Sequence, residues 1–282
     1  MTRAAVLAAV VALVLTAATC WLLGGQRGDS LALWQRRNYR GEGVSLLGGV
    51  AAAAWTFAVL CPLSAYDEPG RRVLLAAAIA VAGGALFGAY DDVHGGVRAR
   101  GLRGHLRLLA ERRISTGVVK LVGISVVALC AARIMSGGAT GVATVLLDAV
   151  VIASCANLAN LLDVRPGRAL KAIVLAAVAF AIASGRTTAA TALVVAGAAA
   201  GALPADLRER VMLGDTGANA LGGAIGVVAV AATSARGSTA IAVLVVGLTV
   251  ASERVSFTTV IAATPPLRWL DDVGRLHSTR TP

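Results

Sequence analysis

The residues best suited to chemistry are acids and amides in short polar runs between long apolar stretches. Asp91 and Asp92 are adjacent in Phe87-Gly-Ala-Tyr-Asp91-Asp92-Val-His94-Gly-Gly96. Neighbouring carboxylates can bind a divalent cation or act as a base beside a bound phosphate. A second run reads Asn157-Leu-Ala-Asn160-Leu-Leu-Asp163-Val-Arg165-Pro-Gly167-Arg168-Ala-Leu-Lys171. Asn157 and Asn160 are three apart, so they share a helical face. Amides so placed, followed by an acid, suit hydrogen bonding to a polar head group. The turn from Arg165 to Arg168 can clamp phosphate through guanidinium forks. It reads equally as an ordinary basic turn beside a membrane. The third run is Leu213-Gly214-Asp215-Thr216-Gly217-Ala-Asn219-Ala-Leu221-Gly222-Gly223. An Asp just before a helix is a good N-cap. Asp215 is also placed to hold a metal beside a diphosphate, with glycines permitting close approach. For any one of these acids, a helix cap or a solvated loop end stays open as a reading.

Other chemistries find no support. The histidines are His94, His105 and His277, with no HExxH pair, which argues against zinc. No GxxxxGK[ST], GxGxxG or GxSxG fingerprint occurs.

The elements that must position these residues follow from composition. Of 282 residues, 57% are hydrophobic and 15% charged, and the mean hydropathy is +0.77. A soluble domain carries about 25% charged residues. The 26 basic and 15 acidic residues give a net charge of +11, but a basic nucleic-acid binder would carry such charge on a polar surface that is scarce here. Four cysteines, all in apolar stretches without a CxxC pair, make no disulfide scaffold. What remains is an all-α, polytopic membrane helix bundle, one integral membrane domain over residues 1–282. No nucleic-acid partner is expected.

A span needs about 20 apolar residues. That ruler gives about nine helices, with eight to ten as the range: 4–23, 44–66, 72–90, 116–136, 139–162, 169–184, 187–204, 216–235 and 238–260. Residues 261–282 follow as a short tail. The first stretch is longer than a usual signal core, so a retained helix is expected. With nine spans the connections alternate between two sides. One side collects nineteen of the basic residues and the other six, with Lys120 just inside the fourth span near the first side. By the positive-inside rule the richer side is cytoplasmic and the N-terminus outside. Asp91, Asp92, Asp163 and Asp215 all fall at cytoplasmic helix ends. Asp148 is mid-span, where an acid is either an ion site or a hydrogen-bonding partner between helices.

Three motifs in this order, between these spans, resemble the polyprenyl-phosphate N-acetylhexosamine-1-phosphate transferase family, also grouped as glycosyltransferase family 4. Its members include the phospho-MurNAc-pentapeptide translocases. Asp91-Asp92 matches the family's aspartate pair, Asn160-Leu-Leu-Asp163 its Asn-Leu-x-Asp motif, and Gly214-Asp215-Thr216-Gly217 its Gly-Asp-Thr-Gly element. Weaker echoes are Leu46-Leu47-Gly48-Gly49 and Glu253-x-x-Ser256, the latter in the last span. The resemblance implies a Mg²⁺-dependent transfer of sugar 1-phosphate from a UDP-sugar to a membrane polyprenyl phosphate, with release of UMP. It implies a plasma-membrane protein of cell-envelope glycan synthesis, and a homodimer. Asp215 would be the Mg²⁺ ligand. Asp91 or Asp92 would position or deprotonate the lipid phosphate. Asn160 and Asp163 would hold the nucleotide or diphosphate. Lys120 and the arginines, Arg165 and Arg168 among them, would meet anionic groups, and Asn157 would add a substrate contact.

The chain departs from that family at two places. Where a second Asp would stand three residues after Asp163, the residue is Pro166. Where a histidine-rich loop would lie, the sequence runs from Ala263 through Pro265, Trp269 and Asp271 to His277. A catalytically weakened relative that binds polyprenyl phosphate or envelope-assembly partners therefore stays open, as does a transporter.

Overall fold

The computed structural model describes residues 3–24, 29–67, 70–95, 115–138 and 140–276. Arg27, Glu68, Gly96, Arg98, Arg100, Arg103, His105, Arg107, Arg112, Arg113, His277 and Arg280 lie outside the described residues.

Long apolar runs with few polar interruptions can satisfy their backbone only as helices in lipid, and nine long helices form among the described residues. They are α1 (Arg3–Leu23), α2 (Leu47–Tyr66), α3 (Arg71–His94), α4 (Thr116–Ser136), α5 (Val142–Leu162), α6 (Arg168–Ala183), α7 (Arg186–Leu207), α8 (Gly214–Ala232) and α9 (Ala235–Ser252). Among the described residues, eight helices are long and apolar enough to cross a membrane. The exception is α6, whose 16 residues reach only about 24 Å at 1.5 Å per residue. The chain is thus a polytopic helical membrane protein.

The ninth helix is shorter than its apolar run predicts. It ends at Ser252, and Glu253 and Arg254 lie in a turn instead of inside a span. Ser256 then caps a new helix, its side chain accepting the Thr259 N–H. The charged pair leaves the apolar layer because a fresh cap lets the chain restart beyond it. Two short helices follow among the described residues, α10 (Phe257–Ala263) and α11 (Pro265–Asp272). Between α1 and α2, β1 (Gln35–Arg37) and β2 (Gly43–Ser45) form an antiparallel hairpin with Arg36 opposite Val44.

The centre of the bundle is α8, surrounded by α2, α3, α5, α6 and α7. Its sequence GDTGANALGGAIGVVAVAA is small on every side, and nearly every residue is buried. A helix apolar all round belongs in a core, and small residues let neighbouring backbones approach. A Cβ on Gly222 would stand 2.8 Å from the Cys155 carbonyl of α5, and one on Gly84 of α3 2.7 Å from the Asn219 carbonyl. The outermost helices face outward with large side chains, such as Leu7, Val10 and Trp21 on α1 and Val243 and Leu244 on α9. The C-termini of α3, α5 and α7 and the N-termini of α4, α6 and α8 meet at one end of the bundle.

Candidate active site

The last turn of α3 and the first turn of α8 carry two of the three acidic motifs, and they touch. Asp92 is buried, with 6% exposure. Its Oδ1 accepts the Asp215 N–H at 3.1 Å. Its Oδ2 accepts the Thr216 N–H at 2.8 Å and the Thr216 hydroxyl at 2.6 Å. The free N–H groups that begin any helix need such acceptors. The cap of α8 therefore comes from α3. Asp215 does not cap its own helix, as its place in the sequence suggests: it sits inside the first turn, and its carboxylate pairs with Lys120 instead. The Asn219 amide donates to the Asp215 carbonyl at 2.7 Å and fastens that turn.

Asp91, next to Asp92 but about 100° round the helix, points elsewhere. Lys120 of α4 donates to Asp91 Oδ2 at 2.7 Å and also to Asp215 Oδ2. One ammonium thus joins a carboxylate from α3 to one from α8. Arg36 of the hairpin donates to the main-chain carbonyls of Asp91, at 3.2 Å, and Asp92. It satisfies the end of α3 and brings a second cation beside the pair. The close approach depends on Gly88, where a Cβ would stand 2.3 Å from the Asp215 carbonyl. Gly88→Ala is expected to force α3 and α8 apart, costing about 1–3 kcal/mol as overpacking does. The melting temperature checks the cost, and loss of turnover checks that Asp91 and Asp215 must stay together.

Asp163 ends α5 as its C-cap residue. Burial pushes its carboxyl well above the ordinary range, and the carboxylates of Asp206 and Asp215 push it the same way, against the Gly214 amide. A carboxyl raised in this way keeps its proton more readily and so sits more easily beside an anionic ligand. It opens on a cavity of about 300 Å³ whose lining includes Arg37, Tyr39, Arg165, Pro166, Asp206 and Met212. The Arg165 guanidinium lies over the Tyr39 ring, 4.3 Å from its centroid, a cation–π contact.

Of the residues singled out by sequence, the structure brings Asp91, Asp92, Lys120 and Asp215 into direct contact and sets Asp163 and Arg165 on the adjoining cavity. Asn160 lies one turn before Asp163 on α5. Two residues are engaged elsewhere. Asn157 donates to Thr249 of α9 at 3.3 Å, a link between helices. Arg168 is buried and forks onto Asp271 of α11, Nε to Oδ1 at 2.7 Å and Nη2 to Oδ2 at 2.9 Å. Asp148 stays on α5, half-buried, well away from the cluster in sequence.

Sequence reasoning missed Arg36, Tyr39, Asp206, Glu209 and Asp271. Asp206 alone carried a signal, as an acid at the site-facing end of a span. The others act through partners 55 or more residues distant.

Asp92→Ala should separate its role from that of Asp91. It strands two amides and a hydroxyl at the start of α8, and each buried unsatisfied group costs about 1–3 kcal/mol. A lowered melting temperature is expected for Asp92→Ala, and none for Asp91→Asn; equal melting would deny Asp92 the capping role.

Magnesium retains several waters and is held by one or two carboxylates together with substrate phosphates. The facing carboxylates of Asp91 and Asp215 suit that coordination. Among the described residues no group of three or more metal-binding side chains forms an all-protein site, which a magnesium of this kind does not need.

Compared with known families, residues 73–233 match glycosyl transferase family 4. This stretch is more than half of the chain and contains Asp91, Asp92, Lys120, Asp163 and Asp215. No curated protein matches the chain with significance.

Proposed function

Since the chain belongs to glycosyl transferase family 4, whose chemistry is phospho-sugar transfer from a UDP-sugar to polyprenyl phosphate, we propose that it transfers N-acetylhexosamine 1-phosphate from the UDP-sugar and releases UMP. The observation that supports this most is the convergence of Asp91, Lys120 and Asp215 beside a cavity edged by Asp163. In-line transfer needs little covalent help from the protein, only positioning and charge stabilisation.

A lipid phosphate oxygen attacks the β-phosphorus of the nucleotide. A new P–O bond forms there, the bond to the bridging oxygen breaks, and UMP departs with that oxygen. Asp91 orients the lipid phosphate and takes its proton where one is present. The Lys120 ammonium meets the phosphate oxygens as a point charge. Asp215 would hold the Mg²⁺, which when bound would supply neutralisation of diphosphate charge. Asn160 and Asp163 hold the diphosphate side of the nucleotide, and Arg165 and Tyr39 bound the space for its uridine. Asp92 acts one step back, by fixing the turn that carries Asp215. The basic bias of the loops supports a cytoplasmic location for this face, and the family's chemistry supports a plasma-membrane setting.

Purified protein is expected to release UMP from a UDP-N-acetylhexosamine only when polyprenyl phosphate and Mg²⁺ are both present. EDTA should remove that activity. A protein that binds the lipid but releases no UMP across a panel of UDP-sugars would instead be a binding relative.

A further inference from the structure

We propose that Asp206 is a positioning residue of the site, holding the Asp163 loop and the Asp215 loop at a fixed separation. It lies at the end of α7, is only 4% exposed, and belongs to none of the three acidic motifs. Its Oδ2 accepts the Gly167 N–H at 2.5 Å. The Leu213 amide interacts with the same carboxylate. Gly167 closes the loop that begins at Asp163, and Leu213 immediately precedes Gly214 and Asp215. One side chain therefore spans the two loops that present the site's acids.

The surroundings support this reading. Pro166 has neither a polar side chain nor a backbone donor, so that position offers the Asp163 loop no hydrogen-bond donor toward its neighbour. Asp206 and Pro166 line the same cavity. Gly167 has φ +73°, and a Cβ there would meet Leu207 at 2.5 Å. That position admits a glycine, whose N–H then points at Asp206. The segment after α7 is held on its other side as well. Glu209 adopts φ +55°, a left-handed conformation that a non-glycine residue rarely takes. It accepts from Asn38 at 2.5 Å and pairs with Arg40 at 3.1 Å. Ser45 of β2 accepts the Met212 N–H at 2.7 Å. The α7–α8 connection is thus clamped between the hairpin and the Asp163 loop, and Asp206 is the clamp on the catalytic side.

The kinetic part of this inference rests on the transferase reading; the structural part does not. The test compares Asp206→Ala with Asp206→Asn, which keeps one oxygen for the two amides. Amide hydrogen exchange is followed in segments 163–168 and 210–216, and kcat and KM are measured with the UDP-sugar. Asp206→Ala is expected to speed exchange in both segments together. It should lower kcat by about 10–100-fold, the range for partners that orient site groups, with KM changed less than about threefold. Asp206→Asn should recover most of both effects. Unchanged exchange in Asp206→Ala, or faster exchange in only one segment, overturns the proposal. So does a loss in KM alone, or full wild-type kcat. If wild-type protein shows no turnover, the transferase reading fails, while the exchange of both segments still decides whether Asp206 links the loops.

Discussion

Asp215→Asn is expected to lower turnover by about 10³-fold or more while leaving the protein folded. The amide has the same shape, and its oxygen can still accept from Lys120. The hydrogen bonds from this residue's turn to Asp92 run through the backbone N–H groups of Asp215 and Thr216, which the substitution does not touch. Lys120 keeps Asp91 as its anionic partner, so no buried charge is left alone. What is removed is the negative oxygen assigned to Mg²⁺. Lewis-acid stabilisation is worth several kcal/mol, and about 1.4 kcal/mol corresponds to each tenfold in rate. UMP release and melting temperature, measured on the same preparation, check both halves. Near-wild-type turnover would remove Asp215 from the metal role.

The second large effect concerns Asp271. Its carboxylate receives the Arg168 fork on one side and Arg275 at 2.9 Å on the other, and Lys171 donates to the main-chain carbonyls of Leu270 and Asp271. Three cations therefore converge where α11 docks on α6. Asp271→Ala leaves Arg168 buried without its partner, and breaking a buried pair from one side costs about 3–5 kcal/mol. Undocking of α11 is the expected outcome, seen as protease sensitivity in residues 257–276. Arg168→Met combined with Asp271→Leu should recover much of that loss, since an apolar replacement of both partners leaves no orphaned charge. Equal sensitivity of the single and double variants would contradict the pairing.

The same contact predicts a pH dependence. Burial raises the Asp271 carboxyl, but the hydrogen bond and charge of Arg168, then Arg275 and Lys171, outweigh it and hold the group below its ordinary value. A carboxyl lowered by folding contributes stability above its unfolded value, near pH 4, and loses it as pH falls through the folded value. The docking of α11 should therefore be constant around neutrality and fail in strong acid. Docking that weakened between pH 8 and pH 6 would be inconsistent with that sign.

Much of the fold is legible in the sequence because lipid leaves a long apolar run one backbone solution. The nine helices start within a few residues of their expected positions, with α2 entering late because the hairpin claims Gly43–Ser45. The end of α9 was hidden because apolar residues resume after Glu253 and Arg254, so hydropathy alone runs through the break. The hairpin is too short for a periodic signal. At the site, residue type and spacing single out Asp91, Asp92, Asp163 and Asp215 as candidates but cannot say which neighbour of a pair faces the cleft. That depends on helix rotation, which turns Asp92 inward to cap α8. Partnerships such as Arg168 with Asp271 join residues a hundred apart, and composition gives no hint of them. The Arg168 guanidinium reads in sequence as a phosphate clamp and serves in the fold as an anchor for α11.

The fate of the β-phosphorus tests the central claim most directly. UDP-N-acetylglucosamine labelled at the β-phosphate is incubated with the protein, Mg²⁺ and polyprenyl phosphate, and the lipid is extracted. Transfer of sugar 1-phosphate predicts that the β-label enters the lipid fraction while unlabelled UMP remains in water. A β-label that stays in water as UDP, while the sugar moves to lipid, would show simple glycosyl transfer and contradict the assignment.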